Sequence, residues 1–119
     1  MLCLGIEGTA HTVGIGVVKE NNGKCSVLSN VLKIYRPKQS GIHPREAANH
    51  HTIYIADLIK ESVKKADVNF SDIDLISFSK GPGLGPCLRT GATAARALSL
   101  TLNKPIIGVN HLLRISWIY

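Results

Sequence analysis

Apolar residues alternate with small or polar ones from Leu2 to Ile6 and again from Val13 to Val18, the period-two pattern of half-buried strands. Gly8 lies at the turn between them, and "NNG" at 21–23 marks a second turn. "CSVLSNVLKIYR" follows as a third strand, with apolar residues at Val27, Val31 and Ile34. Together these predict a three-stranded antiparallel meander. After the loop "PKQSGI" the period changes to that of a helix over residues 43–67, where Ala48, Ile55, Leu58, Ile59 and Val63 share one face. Pro44 suits its first turn, Glu46 suits the positive end of its dipole, and Lys64 and Lys65 fall in its last turn. "DLISFSKG" reads as a short buried strand ending in a glycine loop. A second helix over 86–103 presents Leu88, Ala92, Ala95, Leu98 and Leu102 on one face, and "KPIIGVN" is the fifth strand. The order βββαβαβ predicts an α/β fold: a mixed sheet of about five strands with helices packed on it.

Composition narrows the class. A chain of 119 residues with 45% hydrophobic content and mean hydropathy +0.12 can bury one ordinary core. Uncharged apolar runs such as "LCLGI" and "PIIGV" are far shorter than a membrane span, so no membrane association is expected. No secretory signal pattern opens the chain. Three cysteines, Cys3, Cys25 and Cys87, form no CxxC pair, which argues against a disulfide framework or a zinc knuckle. A reducing, cytoplasmic location is the expectation. The formal charge of +6 is split evenly between the two halves. A diffuse positive field suits an anionic partner such as a nucleotide or RNA, and a merely soluble basic surface has the same composition.

Three loops carry candidate chemistry, because ligands of such sheets collect beyond the carboxyl ends of the parallel strands. "GPGLGP" at 81–86 is not a Walker loop, since no glycine there precedes a Lys-Ser or Lys-Thr pair. It is not a dinucleotide fingerprint either, since Pro86 stands where the third glycine belongs. What remains is a strand, a glycine turn containing Gly83 and Gly85, and a helix N-terminus. Main-chain N–H groups there can approach an anion, or the turn can simply re-aim the chain. "GIEGTAHT" places Glu7, Gly8, Thr9 and His11 on a hairpin tip. Its backbone can wrap a phosphate, with the Thr9 and Thr12 hydroxyls donating and Glu7 holding a metal or water; an ordinary polar hairpin is the alternative.

The third loop is "VNH", where His111 closes the fifth strand, which also reads as buried. His43, His50 and His51 also suggest a metal, but adjacent residues on a helix diverge by about 100°, so His50 and His51 do not readily share an ion. Glu46 and His50 share a face without forming HExxH. Packing or hydrogen bonding near the helix start is the expected role of these histidines.

In order along the chain, "GIEGTAHTVGIGVV", "GIHPREAANHH", "FSKGPGLGPCLRTGATAARALS" and "KPIIGVNH" resemble successive motifs of the enzymes that synthesise tRNA threonylcarbamoyladenosine, in their archaeal and eukaryotic form. The family was formerly described as O-sialoglycoprotein endopeptidases or M22 glycoproteases. The likeness covers residues 1–111. It implies a ribonuclease-H-like lobe of the actin/Hsp70/sugar-kinase (ASKHA) type, with nucleotide held between two such lobes. It also implies transfer of a threonylcarbamoyl group from its adenylate to the adenosine beside the tRNA anticodon, work within the KEOPS assembly beside a small kinase and accessory subunits, and a divalent metal, iron or zinc. The adenylate phosphate is then expected against Glu7, Gly8, Thr9, Gly83 and Gly85, with His111 as a metal ligand.

The chain departs from the pattern in two respects. It stops just after the first lobe, so the second lobe is expected to be absent, and residues 112–119 form a divergent apolar tail. The family's second metal histidine, four residues after His111, is replaced by Ile115. The expectation is the first lobe of a threonylcarbamoyltransferase, inactive on its own and holding neither metal nor ATP tightly. A non-catalytic docking module for KEOPS-type partners, or one that self-associates through its tail, is the alternative. A metalloprotease is disfavoured, because one credible ligand is short of the three such a site needs.

Overall fold

The computed structural model describes residues 1–112. The apolar tail beyond Leu112, with Ile115 in it, lies outside the described residues. Five strands form one sheet in the order β3-β2-β1-β4-β5. β1 (Leu2–Glu7), β2 (Thr12–Asn21) and β3 (Lys24–Ile34) are the antiparallel meander. β4 (Leu75–Gly81) pairs parallel with β1, and β5 (Ile106–Asn110) pairs parallel with β4. The helices α1 (Pro44–Lys65) and α2 (Gly85–Leu102) connect these strands. A single 3-10 turn at Phe70–Asp72 was not legible in the sequence. It is closed by reciprocal bonds between the Asn69 and Asp72 side chains and backbones, a local motif with no hydrophobic period.

Both helices lie on one face of the sheet. Alternation in the strands sends Leu4, Ile6, Val13, Ile15, Val17, Val31 and Ile76 to that face, where they meet Ile55, Leu58, Ile59 and Val63 of α1. The predicted stripe of α1 is therefore the observed one. In α2 the fully buried line is Cys87, Gly91 and Ala95, one turn apart, while Leu98 and Leu102 pack partly buried beside it. Small residues bring this helix close: a Cβ added to Gly91 would lie 3.9 Å from Ile6. Asn103 in the left-handed conformation stops α2, and Pro105 follows two residues on.

The opposite face is open among the described residues, and this corrects the reading of β4 and β5 as buried strands. In β4 only Ile76 is buried. β5 is an edge strand, with Ile107 half exposed and Val109 at 41%. Apolar β-branched content gave both the look of a strand covered on two sides, whereas here only one side carries helices. A wide hollow over the open face is floored by Gly5, Gly14 and Gly16 and rimmed by Ser77, Leu32 and Val109.

Candidate functional site

β1, β4 and β5 run parallel, so Glu7, Gly81 and Asn110 reach the same end of the sheet. The three loops singled out in the sequence leave from that end. Two of them interlock. Thr9 turns its carbonyl toward the glycine loop and accepts the Leu84 N–H at 2.7 Å. Gly83 lies so close that a Cβ there would fall 2.5 Å from the same carbonyl oxygen. The backbone of Gly81 has φ +132°, a conformation L side chains rarely adopt. Two of the three glycines of this loop are thus accounted for by geometry, Gly81 by its dihedral and Gly83 by its neighbour, while a Cβ on Gly85 would meet nothing within 4 Å.

Glu7 organises the turn from within. Its Oε1 accepts the Thr9 N–H at 3.0 Å and the Thr9 hydroxyl at 2.6 Å. Thr9 is consequently buried at 5% exposure, with its hydroxyl already committed. Gly8 is buried too, while Gly83 and Gly85 are exposed. The N-terminus of α2 has Leu84 at its cap position, and no side chain accepts from its first turn. Pro86 lacks an N–H, but the other first-turn donors and the positive end of an 18-residue helix remain available to an anion. Of the predicted residues, Glu7, Gly8 and Thr9 therefore shape the turn from inside. Gly83 and Gly85 stand at its accessible rim.

His111 closes the third side. Among the described residues its Nδ1 is enclosed and without a hydrogen-bond partner, and its nearest carboxylate is Glu7 Oε1 at 3.7 Å. Asn110 accepts the Leu112 N–H through its side chain, turning the chain away from β5. The metal that the resemblance implies would have to find its donors here. A zinc-type site takes three or four protein ligands. Among the described residues no three His, Cys, Asp or Glu side chains converge, and Glu7 already receives two hydrogen bonds. These residues do not fit a resident metal.

The histidines of α1 behave as packing and hydrogen-bonding groups, as expected. His51 is buried at 1% exposure and its Nε2 lies 2.7 Å from the Ala10 carbonyl oxygen in the turn. His50 sits between the rings of Tyr35 and Tyr54. Glu46 does not join His50; it accepts the Tyr35 hydroxyl at 2.6 Å. Sequence reasoning missed that His51 reaches the turn. Its signal was there: His51 stands one turn from Ala47 and one turn from Ile55, inside the apolar stripe of α1. Cys87, in the first turn of α2, is fully buried, and burial followed by the nearby Glu7 charge pushes its thiol up, away from nucleophile behaviour.

Comparison with known proteins agrees with this architecture. Residues 26–116 match the family model TsaD, tRNA N6-adenosine threonylcarbamoyltransferase. The enzyme of that name from Thermococcus sibiricus is 56% identical over 111 residues, which are 93% of this chain and 33% of that protein. A probable bifunctional tRNA threonylcarbamoyladenosine biosynthesis protein from Methanothermobacter thermautotrophicus is 58% identical over 111 residues, 93% of this chain and 20% of its own length. The chain thus spans about a third or less of the curated relatives it matches. Among solved structures, YeaZ from Pseudomonas aeruginosa superposes with a TM-score of 0.70 at 16% identity, over 92% of this chain and 45% of that one. Thermus thermophilus RuvC, solved with a Holliday junction substrate, reaches 0.56 at 12% identity over 94% of this chain and 66% of its own. Those likenesses establish a ribonuclease-H-like lobe of the actin/Hsp70/sugar-kinase type. With the family model covering most of its length, the chain belongs to the tRNA N6-adenosine threonylcarbamoyltransferases.

Proposed function

We propose that this lobe supplies the phosphate-facing wall for threonylcarbamoyl transfer to tRNA. In that reaction the exocyclic amine of adenosine attacks the activated carbamoyl carbon. The new C–N bond forms as the bond from that carbon to the phosphate oxygen breaks, AMP leaves, and the amine loses a proton. Charge therefore develops on the phosphate of the leaving AMP. Backbone donors held in place before the reaction stabilise such charge without having to reorganise. The uncapped first turn of α2, fixed against the β1–β2 turn by the Leu84–Thr9 bond, supports this role.

The observation that carries the reading is the interlock of Gly83, Leu84 and Thr9. It turns two glycine loops far apart in sequence into one rigid rim at the carboxyl end of the sheet. Glu7 and His111 lie behind that rim as orienting groups. On this reading residues 1–119 acting alone lack transferase activity and bind ATP weakly, because the relatives carry two further thirds of chain. The test is direct. Nuclear magnetic resonance of the chain titrated with ATP should shift the Gly83, Gly85 and Cys87 amides selectively, and a tRNA modification assay should show no turnover. Shifts confined to another surface, or none, sink the phosphate-wall reading.

A docking role is favoured by one further observation. A shallow groove between α1 and α2 is lined by Thr52, Ile55, Arg89, Thr93 and Ala97 and is mostly apolar. On this second reading the helical face receives a KEOPS-type accessory subunit while the rim faces nucleotide and tRNA, in the cytoplasm. Self-association through the apolar tail is its competitor. Light scattering of the chain, alone and mixed with kinase and accessory subunits, separates them: a monomer that ignores every subunit excludes both.

A further inference from the structure

His50 and His51 stand outside the glycine rim, yet they are joined to each other and, through His51, to its turn. Nε2 of His51 is 2.7 Å from the Ala10 carbonyl oxygen. A carbonyl only accepts, so Nε2 carries a hydrogen and donates. Nδ1 of His51 is 3.0 Å from Nδ1 of His50. In neutral His51 that nitrogen is bare and accepts, which requires His50 to donate through Nδ1–H. The two contacts together fix both tautomers. The bond to Ala10 adjoins Thr9, whose carbonyl holds Leu84, and a Cβ on Gly8 would touch His51 Cδ2 at 3.7 Å.

We propose that His50 and His51 form a positioning bracket for the anion-binding turn, in which His50 sets the tautomer of His51 and His51 holds Ala10, and through Thr9 the glycine rim. The proposal rests on the reading of that rim as a phosphate site.

The same geometry makes the bracket count protons. A first proton placed on Nε2 of His50 leaves the Nδ1–H···Nδ1 bond intact. A second must go onto Nδ1 of His51, where two N–H groups would face each other and the bond is lost. Glu7 and His11 of the β1–β2 turn act on His51, the first favouring its charged form and the second opposing it. Lys33 of β3 opposes charge on His50, whose ring lies between Tyr35 and Tyr54. Glu46 is engaged by the Tyr35 hydroxyl. Burial is the first cause disfavouring protonation of each ring, so the doubly charged pair belongs to acidic conditions.

The experiment is nitrogen-edited resonance spectroscopy of the chain with ATP as probe. His51 is expected as the Nε2–H tautomer near neutral pH. His51→Gln, whose amide can donate to Ala10, should keep the Thr9, Ala10 and Leu84 amide positions and the ATP affinity. His50→Ala and His51→Leu should shift those amides and weaken ATP roughly fivefold, the loss of one hydrogen bond. Affinity should hold while the first proton binds and fall with the second. An Nδ1–H tautomer of His51 overturns the bracket, as do unmoved amides in a folded His50→Ala chain or affinity lost with the first proton. If ATP moves no amide in the folded wild-type chain, the phosphate reading fails instead, while tautomer and amide positions still decide the bracket.

Discussion

Gly83 and Thr9 touch so closely that no side chain fits between them: a Cβ on Gly83 would fall 2.5 Å from the Thr9 carbonyl oxygen and 2.8 Å from its Cβ. The obstacle is backbone, which cannot swing aside as a flexible side chain can. Gly83→Ala must therefore push the loop off the turn and stretch the Leu84–Thr9 bond. A destabilisation of about 1–3 kcal/mol is expected, the usual cost of overpacking. Gly85→Ala is the control, because its Cβ meets nothing within 4 Å. That change should stay within about 0.5 kcal/mol. Urea unfolding of both variants checks the contrast, and equal costs would mean that the loop yields freely.

A buried hydroxyl pair ties the sheet to α1. Ser29 and Ser62 meet at 2.7 Å, and the Ser62 hydroxyl lies 3.3 Å from the Ile15 carbonyl. With Ser62 donating to Ile15, Ser29 donates to Ser62. Ser62→Ala strands the buried Ser29 hydroxyl, at an expected cost of about 1–3 kcal/mol. The double change Ser29→Ala with Ser62→Ala should cost less than the two single changes added together. A double-mutant cycle from denaturant midpoints measures this, and strict additivity would show that the pair is not coupled.

Stability should fall in mild acid through the α1 histidines. Both folded rings take up protons less readily than the ordinary histidine value of 6.5, chiefly because of burial. Well above 6.5 neither state is protonated, so their contribution is complete. As pH drops below 6.5 the unfolded chain binds protons first, and stability is lost until the folded rings titrate as well. The melting temperature should decline between pH 7 and 5, less steeply in His51→Gln. A flat profile, or one with the same slope in the variant, contradicts this.

Thiol reactivity should follow burial. Cys25 is exposed, while Cys87 is buried and its thiol is pushed up, first by desolvation and then by Glu7. A raised thiol pKa means less thiolate at a given pH, so alkylation of Cys87 should lag and should accelerate only as the solution becomes more alkaline. Mass spectrometry of iodoacetamide-treated protein orders the sites. Early modification of Cys87 in the folded chain would place it outside the core.

The metal content should be low. His111 and Glu7 are the donors nearest each other at the rim, and Glu7 is already engaged by Thr9. Iron or zinc offered to the chain should not survive gel filtration in stoichiometric amount, and His111→Ala should leave the elemental analysis unchanged. Tight retention that disappears in His111→Ala would reverse the argument drawn from the donor set.

Much of this molecule was settled by local pattern. Alternation in β1 and β2, the three-to-four residue recurrence in α1, and the glycines and prolines between them determined the order of elements and most of the buried face. They did so because periodicity reports which side of an element avoids water. The same pattern misled at β4 and β5: apolar residues say that a strand resists water, not how many of its faces are covered. Nor could spacing show that Gly83 presses on Thr9, that His51 reaches Ala10, or that Glu7 spends its carboxylate inside its own turn. The first two contacts join residues 74 and 41 positions apart; the first exists only once parallel pairing of β1 with β4 brings the loops to one end of the sheet, the second only once α1 packs on β2 and β3. Residue identity along the chain named the pieces of the rim; only strand order in space decided that they form one.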